Sequence, residues 1–208
     1  MPGTVDAMPL IRKDAASSAP AREHADLLRS DDADERWRAA RSLATSPAGA
    51  AALGAALAGE QDPRVREAIF TSLARLGAVD SVLPHLRSDD ANLRTGALDA
   101  LRAMTDAVRP HLRSLLADPD PDVRLLSCEL TRALPAREAN SLMIEVIDRE
   151  AHANVCASAV DVLAELGEAT AIASLERCAT RFAGQGFLPF AIQVAIERIK
   201  AQQEATDG

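Results

Sequence analysis

The hexapeptide Leu-Arg-Ser-Asp-Asp-Ala occurs at residues 28–33 and again at 86–91, and the chain around it repeats. In the same register Arg36 aligns with Arg94 and Leu43 with Leu101, an offset of 58 residues. A related segment lies between the copies at 60–77, and two more follow at 116–134 and 150–167. The shared pattern is Asp-x-x-apolar-Arg leading into an apolar run. Its aspartates are Asp32, Asp62, Asp90 and Asp120, and its arginines Arg36, Arg66, Arg94 and Arg124, in steps of 30, 28 and 30 residues. A period of this length means that one supersecondary unit is used again and again, each burying its apolar face on the next.

The unit is a helical hairpin. After the motif, apolar residues recur at helical spacing: Val65, Ile69, Leu73 and Leu76 in one copy, Val155, Ala159, Leu163 and Leu166 in another. Each aspartate stands where a side-chain oxygen caps the first N–H groups of a helix. Pro63 and Pro121 follow at the first helical position, where the missing N–H costs nothing. Gly77 and Gly167 stand just past the apolar run, where a helix stops. A second amphipathic stretch precedes each motif helix, at 22–29, 47–58, 78–87, 106–117, 137–149 and 168–182. The expected fold is therefore all-α, a right-handed α-solenoid of about six helical hairpins. Hydrophobic residues make up 48% of the 208 and aromatics only 2%, as suits closely stacked helices rich in Ala and Leu.

The run DPRVREAIFTSL resembles the DPxVRxxAxxxL pattern of HEAT-like repeats of the phycobilin lyase type, and the likeness extends over roughly 22–200. The resemblance implies stacked HEAT-like hairpins. It also implies a scaffold or adaptor that holds another protein on its concave face, in a bacterial cytoplasmic signalling complex. The alternative that it implies is a bilin lyase-like, chromophore-handling protein, although no catalytic residue of that chemistry maps onto this chain.

Organisation along the chain is expected in three parts: a flexible tail at 1–21, a repeat domain at 22–204 and a disordered end at 205–208. The tail holds the apolar and basic cluster Met-Pro-Leu-Ile-Arg-Lys at 8–13, which either folds back on the first repeat or docks on a partner. In the last repeat Gln185 and Pro189 stand where Asp and Arg are expected. Phe187 and Phe190 there are expected to close the core with larger side chains, the alternative being an exposed aromatic docking site.

Two sets of residues are candidates for a surface role. The first is the Asp/Arg ladder, read as structural pairing within and between repeats rather than as a row of anion sites. It is expected to stop at repeat five, where His152 replaces the Asp and Cys156 the Arg. The second is a stripe of motif-helix positions pointing away from the core, two and six residues after the motif's apolar position. These are Trp37 and Arg41, Glu67 and Thr71, Thr95 and Asp99, Leu125 and Glu129, Ala157 and Asp161, Phe190 and Val194. The stripe begins aromatic and basic, has an acidic middle and ends apolar. Trp and Arg are favoured interface anchors, so this is the expected protein-binding face. The alternative is a solvated face, with Trp37 packed under the N-terminal tail.

Other chemistry finds little footing. Cys128, Cys156 and Cys178 form no CxxC and read as small buried hydrophobes rather than disulfide or zinc ligands. His24, His85, His111 and His152 match no metal-binding motif. No cofactor and no metal is expected. A net charge of −8 argues against broad nucleic-acid binding, and no run is long and apolar enough for a signal peptide or a membrane span. The expected protein is a cytoplasmic monomer that is not an enzyme and has another protein as its partner.

Overall fold

A computed structural model describes the backbone of residues 15–207 and the side chains of 21–205. Every regular element among the described residues is helical. The chain divides into two compact units, Met1–Ser81 and Val82–Gly208.

In the first unit α1 (Ala15–Leu27) pairs with α2 (Ala33–Ser42), and α3 (Ala50–Leu57) pairs with α4 (Pro63–Leu76). The motif helices α2 and α4 also pack on each other, so the hairpins stack. Leu43, Leu53, Leu57, Ile69 and Leu73 are fully buried between them. Each such side chain contributes about 1.5–3 kcal/mol by leaving water. The division between units falls within the short helix α5 (Val79–Val82).

The second unit continues with α6 (Ala91–Ala103), α7 (Thr105–Val108), α8 (Leu112–Leu115) and α9 (Pro121–Leu130). It ends with α10 (Ala136–Arg149), α11 (Ala153–Leu166), α12 (Ile172–Arg181) and α13 (Leu188–Asp207). The pairs α10–α11 and α12–α13 are hairpins, while α9–α11 and α11–α13 stack one motif helix on the next. Leu101, Leu112, Met143, Ile147, Leu163 and Leu175 fill the core. The solenoid class read from the repeat is the observed one.

The caps fall where the sequence places them. Asp32, Asp62, Asp90 and Asp120 each accept from the backbone N–H two residues on, at 2.8–2.9 Å. Gly77 ends α4 in the left-handed region, with φ 62°. Gly167 also ends its helix, but in extended backbone, with φ −71° and ψ 147°. Glycine is needed there for space: a Cβ would lie 2.3 Å from the Leu163 carbonyl oxygen and 2.8 Å from Ile199 Cδ1.

Several expected boundaries differ. The stretches 78–87 and 106–117 are broken rather than continuous helices, because Pro84 and Pro110 lack the N–H that an α-helix needs and open 3₁₀ turns instead. Helix α1 begins at Ala15, inside the expected tail, in an alanine-rich segment; the cluster at 8–13 lies outside the described residues. Helix α13 runs on to Asp207 rather than ending at 204, through residues of good helix propensity. Phe187 and Phe190 do not close the core. They are 71% and 61% exposed, and Phe182 and Leu188 are buried in their place.

Candidate functional site

The start of the stripe is a groove between α2 and α4 in the first unit. Residues at helical spacing on the two helices line it: Asp34, Trp37 and Arg41 from α2, Arg64, Glu67, Thr71 and Arg75 from α4. Arg38 completes the α2 wall. The groove is open and encloses about 520 Å³. Trp37 is half-buried, and the Arg41 guanidinium lies over its ring at 4.6 Å from the centroid. That stacking fixes a flat amphipathic platform, since the indole face attracts the cation. At the mouth, Arg64 reaches Asp34 and Asp62, both at 3.3 Å. The Arg64 guanidinium, with the backbone N–H groups behind it, holds the Asp62 carboxyl below the usual carboxylate range.

The middle of the stripe, in the second unit, is not an open acidic face. Arg102 pairs with Asp99 at 3.4 Å and with Glu129 at 3.1 Å. Arg132 pairs with Glu129 at 2.9 Å, with Asp161 at 2.5 Å, and with Glu165. Burial works against the charge of Arg132, yet Glu129 and Glu165 hold its pKa above the ordinary arginine value. Leu125 is half-buried, and its carbonyl accepts from Ser158 Oγ. The acidic residues that the stripe brings together are thus paired with, and partly neutralised by, Arg102 and Arg132. Phe190 stands with Phe187 instead, their ring centroids 5.7 Å apart.

The Asp/Arg ladder is anchored in the turns that lead into the motif helices. The aspartates cap helices, and each arginine donates to the backbone carbonyl six residues before it. These bonds are Arg36 to Ser30, Arg66 to Glu60, Arg94 to Ser88 and Arg124 to Asp118, at 2.5–2.9 Å. The same earlier residue uses its side chain to accept the backbone N–H of the capping residue. Where that residue is glutamate, it also receives the arginine of the preceding repeat. Glu60 takes Arg36, and Glu150 takes Arg124. The register continues into repeat five rather than stopping: Glu150 accepts the His152 N–H, and Cys156 Sγ lies 3.6 Å from the Glu150 carbonyl.

With this geometry in view, residues 50–132 match the family described as HEAT repeats. That stretch is similar to HEAT repeats. An archaeal HEAT-like repeats protein from Thermococcus onnurineus is 16% identical, with a TM-score of 0.51 over 89% of this chain and 90% of that one. It shares the fold. An engineered protein is 20% identical with a TM-score of 0.45, over 88% of this chain and 97% of that one. The complex of CpcE and CpcF of phycocyanin lyase from Nostoc sp. is 18% identical with a TM-score of 0.34, over 95% of this chain and 100% of that one. No curated protein sequence matches the chain.

Counting offsets from the repeat motif found Trp37, Arg41, Glu67 and Thr71 but missed Arg38, Arg64, Arg75, Arg102 and Arg132. Carrying the count one more turn along the motif helix, to nine and ten residues, reaches Arg102, Arg132 and Arg75. Arg38 and Arg64 flank the stripe and enter the groove by side-chain reach, which spacing does not encode.

All three cysteines are buried and unbridged. Burial pushes the Cys128 thiol up to about 12. Cys156 and Cys178 sit with Arg181 between the last two hairpins, Arg181 Nη2 lying 3.8 and 3.7 Å from their sulfurs. Cys178 is held below the usual thiol range by Cys156 and Arg181, and Cys156 above it. Among the described residues no three His, Cys, Asp or Glu gather to hold a metal ion, and no helix is long and apolar enough to cross a membrane.

Proposed function

We propose that this HEAT-repeat chain is a non-catalytic scaffold or adaptor in a cytoplasmic complex, holding another protein on its motif helices. One observation carries the reading. The Trp37–Arg41 stack lies half-open in a groove whose walls are two rigid helices. Trp and Arg are among the residue types that most often dominate binding energy once a partner has desolvated them. The rest of the stripe supports a supporting role for the second unit, because its carboxylates are already paired with Arg102 and Arg132.

Co-purification of the tagged full chain, alongside its Trp37→Ala, Arg41→Ala double variant, tests the proposal. A near-stoichiometric protein captured by the parent and lost from the variant, with helicity unchanged, is the expected result. A partner retained in full by the variant places binding on another surface.

A further inference from the structure

The groove is basic in an acidic protein. Four arginines line it, Arg38, Arg41, Arg64 and Arg75, against the two carboxylates Asp34 and Glu67, while the whole chain carries −8. Arg64 is already met by Asp34 and Asp62. Arg38, Arg41 and Arg75 make no ion pair among the described residues. Elsewhere on the motif helices, Arg36, Arg102 and Arg124 each have a carboxylate from the next repeat. In the groove three arginines lack that neutralisation.

We propose that the groove binds an acidic peptide segment, its carboxylates held by Arg38, Arg41 and Arg75. The inference rests on the reading of this groove as a protein-binding surface and adds the chemistry of the partner. Arg41 gives one face to the indole of Trp37, which leaves the N–H edges of its guanidinium free to take a carboxylate bidentately. Arg38 and Arg41 are one turn apart on α2, and Arg75 faces the same space from α4. A volume of about 520 Å³ suits a few side chains of an extended segment.

Nucleic acid fits the same groove less well. Asp34 and Glu67 stand inside it, and a strand carrying a charge at every phosphate meets the net −8 of the chain as soon as it leaves the groove. Base stacking needs an open indole face, and Arg41 lies over Trp37. A short acidic peptide places its charges only where the arginines are.

Trp37 is the one tryptophan in the sequence, so its fluorescence reports on this groove alone. The full chain is titrated with a deca-glutamate peptide at low ionic strength, followed by tryptophan fluorescence and calorimetry. The expected result is saturable, salt-sensitive binding that a neutral Gly-Ser peptide does not reproduce. The Arg38→Ala, Arg75→Ala variant weakens it about tenfold or more at unchanged helicity. The inference is overturned by no binding of deca-glutamate, by equal binding to that variant, or by tighter binding of oligo-dT than of deca-glutamate. If deca-glutamate fails to bind while the co-purified partner is still lost from the Trp37→Ala, Arg41→Ala chain, the acidic-peptide inference falls and the protein-binding reading stands. If deca-glutamate binds but that partner persists, the assignment of partner binding to this groove is what fails.

Discussion

Glu60 accepts from Nε and Nη2 of Arg36 at 2.7 and 2.9 Å, joining two repeats through one bidentate pair. Its other contacts explain why a glutamate is needed. The same carboxylate accepts the backbone N–H groups of Gln61 and Asp62, and so closes the turn that leads into α4. Glu150 does the same for Arg124, Ala151 and His152. One side chain thus couples a tight turn to the stacking of repeats.

Glu150→Ala leaves the Arg124 guanidinium, 17% exposed, without its carboxylate. The expected loss is about 3 kcal/mol, because breaking a buried pair costs far more than never having built it. Urea denaturation followed by circular dichroism measures it. Arg124→Lys is expected to recover only part, since an ammonium cannot match the bidentate fork.

Acid is expected to weaken the fold through the same two carboxylates. Arg36 holds Glu60 below the usual carboxylate range. At Glu150 burial pushes upward, but Arg124 and the backbone N–H groups of His152 and Ala151 outweigh it. Both therefore bind fewer protons folded than unfolded. Their stabilisation is fully present above the unfolded value of about 4.3 and drains away as pH falls through the lower folded values. Melting temperature against pH should fall less steeply on the acid side in the Glu60→Gln, Glu150→Gln variant.

The two helix-ending glycines should respond to alanine for different reasons. Gly77→Ala puts a side chain in the left-handed region and is expected to cost about 1 kcal/mol. Gly167→Ala sets a methyl against the Leu163 carbonyl and Ile199, so α11 and α13 must shift. It is expected to cost more than Gly77→Ala, as overpacking does, at about 1–3 kcal/mol. Comparing the two melting temperatures decides it; a smaller loss at Gly167 contradicts the close approach.

Arg181 lies beside Cys156, which stands at the ladder's arginine position. Its guanidinium donates to the carbonyls of Ile147 and Asp148 and lies against both sulfurs. Arg181→Gln is expected to raise the pKa of Cys178, which Cys156 and this cation hold down. Thiolate absorbance, titrated in parent and variant, should grow at higher pH in the variant. An unchanged titration would remove Arg181 as a cause.

What the sequence determined by itself was whatever repeats along the chain. The step of 28 to 30 residues, the capping aspartates and the apolar periodicity are local, and local rules place a helix end or a buried face without knowing its neighbours. Val65, Ile69, Leu73, Val155 and Leu163 are accordingly buried where the spacing puts them, and Trp37 lines a groove. The tertiary structure decided which charges meet. Arg36 and Glu60 are 24 residues apart, and Arg132 gathers Glu129, Asp161 and Glu165 from two repeats. A charged side chain takes its partner from whatever packs against it, and a long guanidinium reaches across a helix face. A stripe that spacing reads as acidic is therefore ion-paired where repeats stack, and the basic groove lies where Arg38, Arg41 and Arg75 meet no carboxylate among the described residues.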